Sequence, residues 1–345
     1  MKKEPIGGFK IVYEYANMLS ENGIQVNLIH PADLPERKGI YFFIRNKLKY
    51  FYRLISNSHT PGNWFKFAQN VKLKWVPLLK EKYLPDADIN IATAWRTAIA
   101  LNEMKLESSK KFYFLQSLET WNGPETEVVD TWRFPFKKIV IAKWLLRFAE
   151  KIGEKAVYIP NGFDFNNFYV INEPEKRDKY SMLMLYHELE LKGSRFGIEA
   201  VSKLKKKFPE IKFTLFGVQR RPDNLPEWFD YVQTPSIEKL RSIYNSASIF
   251  ISPSLIEGFP LPPAEAMACG CTLVASDIDG HKEYNIENET CLFFKAGDAQ
   301  SLYENLEKLL LKNDLRIALS KKGTEYIHEF SWDKSIKMFL SELKN

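Results

Sequence analysis

The chain has 345 residues, of which 45% are hydrophobic and 27% charged, and it carries a net charge of +6. This length supports two domains with their own cores, and the composition is that of an ordinary globular protein. Its 18 Pro and 16 Gly are scattered, and no period of 20–50 residues recurs, so low-complexity and solenoid classes are excluded. The positive charge permits anionic partners without naming one.

Residues 9–22 have helical periodicity, with Ile11, Val12, Tyr15, Ala16 and Leu19 on one face and Gly23 as the stop. A strand is expected over 24–29. An α/β domain ordinarily opens on a strand, and residues 1–8 make a poor one. The first strand is therefore read as missing, or the chain as starting within a β–α loop. No secretory signal is expected there, because residues 1–8 lack an apolar core region.

Residues 36–82 are basic and aromatic, with eleven Lys or Arg against Glu36 and Glu81. Two readings stay open: contact with an anionic membrane surface, or helices with a buried aromatic face and a solvated basic one. Nucleic acid is not the expected partner. No apolar run reaches membrane-spanning length.

Strands are expected over 88–94 and 111–115, which leaves 116–121 at a strand's carboxyl end as a candidate binding segment. Residues 139–152 read as helix and 157–159 as a short strand. Pro160-Asn161-Gly162 reads as a domain junction. Beyond it, strands are expected over 181–186, 211–216, 230–232, 249–252, 272–276 and 291–294. Helices are expected over 193–208, from Ser236 to 245, after Pro263, and over 298–311 and 314–330. Strands alternating with helices specify a parallel, doubly wound sheet. The expected fold is α/β, with two Rossmann-like domains facing across a cleft. Residues 1–160 form the first, with a last helix over 331–345 packed back on it, and 161–330 the second.

The chemistry concentrates in residues 256–272, IEGFPLPPAEAMACGCT. Glu257 leaves a strand's carboxyl end, and Glu265 lies near the start of the next helix, whose first turn tolerates Pro262 and Pro263. Strand end, Gly/Pro loop and helix start form the ligand corner of an open α/β sheet. Carboxylates there suit paired sugar hydroxyls, and the loop suits a phosphate. Lys192-Gly193, opening an earlier helix, offers a cation for a diphosphate. Paired carboxylates also serve glycoside hydrolysis, but the helix start favours a phosphate ligand. Cys269 and Cys271 lack partners spaced for zinc, and with Cys291 they fit a reduced, cytoplasmic protein.

The stretch EGFPLPPAEAMACGCTLVAS (257–276) resembles the E-x7-E motif and following strand of glycosyltransferase family 4, the retaining transferases of GT-B fold. The resemblance extends to IPNGFD (159–164), LKG (191–193), SIEKLRSIYNSASIFISPS (236–254) and DGHKEY (279–284). More weakly it takes in IGGF (6–9) as a Gly-rich loop. It implies a nucleotide diphosphate-sugar donor and a polysaccharide or lipid-linked glycan acceptor. It implies no cofactor and no metal. Glu257 would contact donor-sugar hydroxyls and Glu265 the ribose. The backbone at Gly258, Phe259 and Leu261 would lie near the diphosphate or sugar, and Lys192 would neutralise the leaving group. Gly7 and Gly8 would approach the donor from the other domain, and Tyr231 and Val232 would meet the base.

Two positions depart from the pattern. His187 stands where the family usually has an Arg, and Gln116 where it commonly has a His. The second version resembles rhamnan-type rhamnosyltransferases and makes Gln116 and Glu119 candidates for acceptor or donor sugar. The expected function is a retaining hexosyl or deoxyhexosyl transferase in the cytoplasm, peripheral at the inner face of the membrane if the basic stretch binds lipid. The alternative is a catalytically degenerate nucleotide-sugar-binding protein or partner subunit. A sugar-nucleotide epimerase would share the two-domain shape.

Overall fold

The computed structural model describes residues 7–34, 40–56 and 65–344. The chain divides into two compact units, Met1–Pro160 with Ser335–Asn345, and Asn161–Lys334.

The first unit runs α1 (Gly7–Glu21), β1 (Val26–Asp33), α2 (Ile40–Ile55), β2 (Val71–Leu78), β3 (Asn90–Ala92), α3 (Trp95–Asn102), β4 (Lys111–Leu115), α4 (Glu125–Trp132), β5 (Lys137–Val140), α5 (Lys143–Lys151) and β6 (Val157–Tyr158). Among the described residues, β1 pairs with β2, and β3-β4-β5-β6 form a second sheet, parallel throughout. Strand β4 (KFYFL) is buried along its length, as a strand covered on both faces should be.

Three expectations are corrected here. Residues 139–152 are not one helix: Ile139 and Val140 belong to β5, paired with β4 and β6, and the helix begins at Lys143. The β-branched pair is worth more in a buried ladder than as the start of a helix. The basic stretch is not purely helical either, since β2 lies within it; residues 36–39 and 57–64 fall outside the described residues. Gly7 and Gly8 sit in the first turn of α1 rather than in a loop. The expectation about a first strand falls on residues 1–6, also outside the described residues.

The second unit runs β7 (Ser181–Leu185), α6 (Ser194–Lys207), β8 (Lys212–Gly217), β9 (Phe229–Gln233), α7 (Ile237–Ser246), β10 (Ile249–Ser252), α8 (Leu261–Ala268), β11 (Thr272–Ser276), α9 (Asp279–Lys282), β12 (Cys291–Phe294), α10 (Ala299–Leu311) and α11 (Asn313–Ile327). Its strands lie in the order β12-β11-β10-β7-β8-β9, all parallel. The core is Met182, Met184, Leu215, Ile251 and Val274 from the sheet, with Val201, Leu204, Leu306 and Leu309 from α6 and α10. Side-chain caps start two helices: Ser236 accepts the Lys239 N–H for α7, and Asp298 accepts those of Gln300 and Ser301 for α10. From Ser335 onward the last helix, α12 (Trp332–Lys344), belongs to the first unit, where Phe339 packs on Tyr15 and Phe114 at ring distances of 4.6 and 5.6 Å.

Candidate active site

In the second unit the strand order reverses between β7 and β10. Loops leaving the two strands diverge there, and the crevice outside their carboxyl ends is where such sheets take ligands. Residues 186–193 leave β7 and residues 253–260 leave β10. The two loops are tied by the Leu255 N–H, which donates to Leu191 O at 2.8 Å. Gly193 is held at φ +63°, and a Cβ there would lie 2.0 Å from the Pro253 carbonyl oxygen, so only glycine allows this approach.

That approach delivers Lys192 to Glu257. Lys192 Nζ lies 2.6 Å from Glu257 Oε1, and the same oxygen accepts the Ser254 hydroxyl at 2.8 Å. The lysine side chain is 32% exposed and the glutamate 14%, so the pair is sheltered but open to a ligand. Beneath it, Gly280 of α9 passes so close that a Cβ would meet Glu257 O at 2.4 Å.

His281, next in α9, is fully buried. Its Nδ1 lies 2.9 Å from the Ser276 carbonyl oxygen, which can only accept, so Nδ1 carries the proton and Nε2 accepts the Ser252 hydroxyl at 2.8 Å. Ser276 Oγ in turn donates to Ser254 O. This neutral imidazole thus joins the ends of β10 and β11 beneath the Glu257 loop. Burial pushes its pKa below the ordinary value, with Glu257 opposing and Lys192 adding to the shift. The folded pKa therefore lies under the unfolded value of about 6.5, and the unfolded chain takes up a proton first as pH falls. Stability is expected to drop as pH falls below about 6.5 towards the folded pKa. Thermal melts across that range should show a shallower pH dependence in His281→Gln than in the wild type; equal slopes would mean that His281 is not the titrating group.

Helix α8 places Glu265, whose Oε2 accepts the Tyr244 hydroxyl at 3.2 Å in a buried setting. Burial, with the Glu265 charge beside it, holds the Tyr244 phenol well above its ordinary pKa. Pro262 and Pro263 occupy the first turn and have no N–H, so Leu261 supplies the donor there. The Phe259 ring is in the core, stacked on Phe163 at 5.3 Å and against Tyr284, whose hydroxyl donates to Pro260 O. The loop's backbone, including Gly258, is thus anchored from below.

His187 Nδ1 accepts the Leu189 N–H at 3.0 Å, so this nitrogen is engaged by the backbone of its own loop. Tyr231 and Val232 lie in β9 at the sheet's edge. The Tyr231 hydroxyl is spent on Gln219 O at 2.7 Å, and its ring packs edge-on to Tyr186. A cavity of about 450 Å³ opens beside this loop, lined by Tyr186, His187, Leu189, Ser194 and Asn224, and is flanking rather than at the Lys192–Glu257 pair.

In the first unit, Gln116 Nε2 donates to Gly8 O at 3.1 Å, which joins the end of β4 to the start of α1. Glu119 sits at φ +56°, and its carboxylate accepts the Trp95 N–H at 2.8 Å. It therefore anchors the N-terminus of α3, and burial pushes its carboxyl pKa up against the opposing effects of that N–H and of Arg96. Sequence reasoning assigned no role to Ser254, Gly280, His281 or Tyr244. The Tyr244–Glu265, His281–Ser252 and Gly280–Glu257 approaches join residues more than 20 positions apart, which no local pattern shows.

Among the described residues, no group of three or more His, Cys, Asp or Glu is placed to hold a metal ion. Residues 170–326 match the glycosyl transferases group 1 family model. The match covers somewhat less than half of the chain, and this segment is similar to that family. Glu257, Lys192 and Glu265 all fall inside the matched segment. The phosphatidyl-myo-inositol mannosyltransferase of Mycolicibacterium smegmatis is 23% identical over 193 residues, covering 53% of this chain and 50% of that protein. The D-inositol 3-phosphate glycosyltransferase of Corynebacterium urealyticum is 26% identical over 167 residues, covering 44% and 39%. The chain thus spans half or less of these curated relatives. Among solved structures, sucrose-phosphate synthase of Thermosynechococcus elongatus matches with a TM-score of 0.71 at 17% identity, covering 98% of this chain and 93% of that one. Anabaena HepE, solved in complex with UDP-glucose, matches with a TM-score of 0.70 at 13% identity, covering 100% and 97%. The shared fold is GT-B, α/β with parallel sheets.

Proposed function

We propose that this protein is a retaining glycosyltransferase that moves a hexose or deoxyhexose from a nucleoside diphosphate sugar to a glycan or lipid-linked acceptor. The observation that carries the proposal is the Lys192–Glu257 pair at the reversal of strand order in the second unit. A cation and a carboxylate at this corner match the two charges of the reaction: the departing diphosphate and the sugar ring that becomes positive as the bond breaks. Glu265, buried beside Tyr244, suits a pair of ribose hydroxyls.

The chemistry proposed is front-face substitution. The bond from the anomeric carbon to the diphosphate oxygen breaks, and the acceptor oxygen bonds to that carbon on the same face. The departing oxygen takes the acceptor's proton. Lys192 then offsets the charge left on the diphosphate, and no cofactor is invoked. A second reading, a nucleotide-sugar-binding subunit without turnover, is favoured by His187, whose Nδ1 is engaged by the Leu189 N–H at the position where the resemblance implies an Arg.

A panel of nucleoside diphosphate sugars, assayed for nucleoside diphosphate release, separates the two. The transferase reading expects release from at least one donor and a product with the donor's anomeric configuration by NMR. Thermal stabilisation by a nucleoside diphosphate with no release from any donor would favour the binding subunit, and neither response would overturn both.

A further inference from the structure

Helix α2 has two faces with opposite fates. Its inner face packs on the β1–β2 sheet. Tyr50 stacks on Trp75 with the rings 6° from parallel, the Trp75 indole N–H donates to Tyr50 O at 3.3 Å, and the Arg53 guanidinium lies 5.6 Å from the same ring. Its other face carries Ile44, Leu48, Phe51, Tyr52 and Ile55, spaced as one helical stripe and 53–85% exposed. Soluble surfaces leave large apolar side chains exposed singly; five in register on one helix mark a surface that meets something apolar.

The flanks of the stripe identify what that is. At 100° per residue, Arg45 borders it on one side and Lys47 on the other, both exposed. Residues 40–55 hold four cations (Arg45, Lys47, Lys49 and Arg53) and no acidic residue. An apolar stripe between cations suits the boundary between lipid headgroups and acyl chains, where long basic side chains reach the anionic headgroups. A second copy of this chain meeting the helix face to face would set the Arg45 and Lys47 charges against their own copies. Among the described residues no helix is long and apolar enough to cross a membrane, so the contact is one lying on the surface.

We infer that the outward stripe of α2 docks the protein onto anionic lipid bilayers, with Ile44, Leu48, Phe51, Tyr52 and Ile55 entering the interface and Arg45 and Lys47 on the headgroups. This narrows the basic stretch to one helix face and leaves β2 to the fold. It holds whether or not the protein is a transferase.

The test is sedimentation of the full chain with vesicles of mixed phosphatidylcholine and phosphatidylglycerol, and of phosphatidylcholine alone. Binding is expected to the mixed vesicles and to fall as salt is raised. Arg45→Gln and Lys47→Gln should each weaken it about fivefold, the equivalent of about 1 kcal/mol per surface cation. Leu48→Asn combined with Ile55→Asn should abolish it with the melting temperature unchanged, because both side chains are already in solvent. Cys269, Cys271 and Cys291 are buried, so a dye on Leu48→Cys reports this face alone, and its emission should shift to the blue with vesicles. The inference is overturned if the wild type stays in the supernatant at low salt, or if the double variant binds like the wild type. It is overturned equally if light scattering shows a dimer that the double variant dissolves. Nucleoside diphosphate release in vesicle-free solution should be the same in all these variants, so a failure here is distinct from a failure of the transferase assay.

Discussion

Lys192→Ala is expected to lower the rate of nucleoside diphosphate release by about two to three orders of magnitude, the range seen when one preorganised stabiliser of developing charge is removed. The effect should fall on kcat more than on KM, because the diphosphate gains charge as it departs and the lysine's contribution grows with it. Lys192 Nζ lies 2.6 Å from Glu257 Oε1, and Gly193 pins it there through its contact with Pro253. The lysine is thus positioned by backbone packing. Steady-state kinetics on the donor found by the panel would check this. A wild-type kcat in Lys192→Ala would remove the cation from the mechanism and, with it, the main support for turnover at this corner.

Glu257→Gln should lower kcat by a similar factor while leaving the fold intact. Glutamine keeps the shape and can still accept from the Ser254 hydroxyl, but it loses the negative charge opposite Lys192 and beside the reacting sugar. Side-chain bulk is then constant, and charge is the variable. The two residues share one interaction, so Lys192→Ala with Glu257→Gln should cost less than the sum of the singles, by about 0.5–3 kcal/mol in ΔΔG‡. Additive losses would show that the 2.6 Å pair has no part in catalysis. A large loss of thermal stability in Glu257→Gln alone would instead assign the glutamate to holding the loop, which Ser254, Gly280 and His281 already support from beneath.

The second unit was the more legible half of the chain. Its strands are short apolar runs with Gly, Pro or Ser at their ends, and 249–252, 272–276 and 291–294 agree with β10, β11 and β12. The first unit misled where local pattern and tertiary pairing disagree. Residues 139–152 look like one helix because apolar side chains recur at helical spacing across the β5–α5 boundary, and nothing local marks 141–142 as the break. Strand β2 was hidden because Lys72 and Lys74 read as part of a basic surface until β1 pairs beside them. Glu119 and Gln116 were legible as polar residues at a strand end, but not as groups already engaged with Trp95 N–H and Gly8 O.

The sequence by itself determined the alternation of strands and helices in the second half. It also placed Glu257 and Glu265 around a Gly/Pro loop at a strand end, because periodicity, caps and breakers act over a few residues. Tertiary structure decided the rest. It set the reversal of order between β7 and β10 that brings Lys192 to Glu257 across 65 positions, and the buried His281 under that loop. It also chose which face of α2 packs on the sheet and which is left to solvent. Those outcomes depend on which strands become neighbours, a property of the whole sheet that no local stretch encodes.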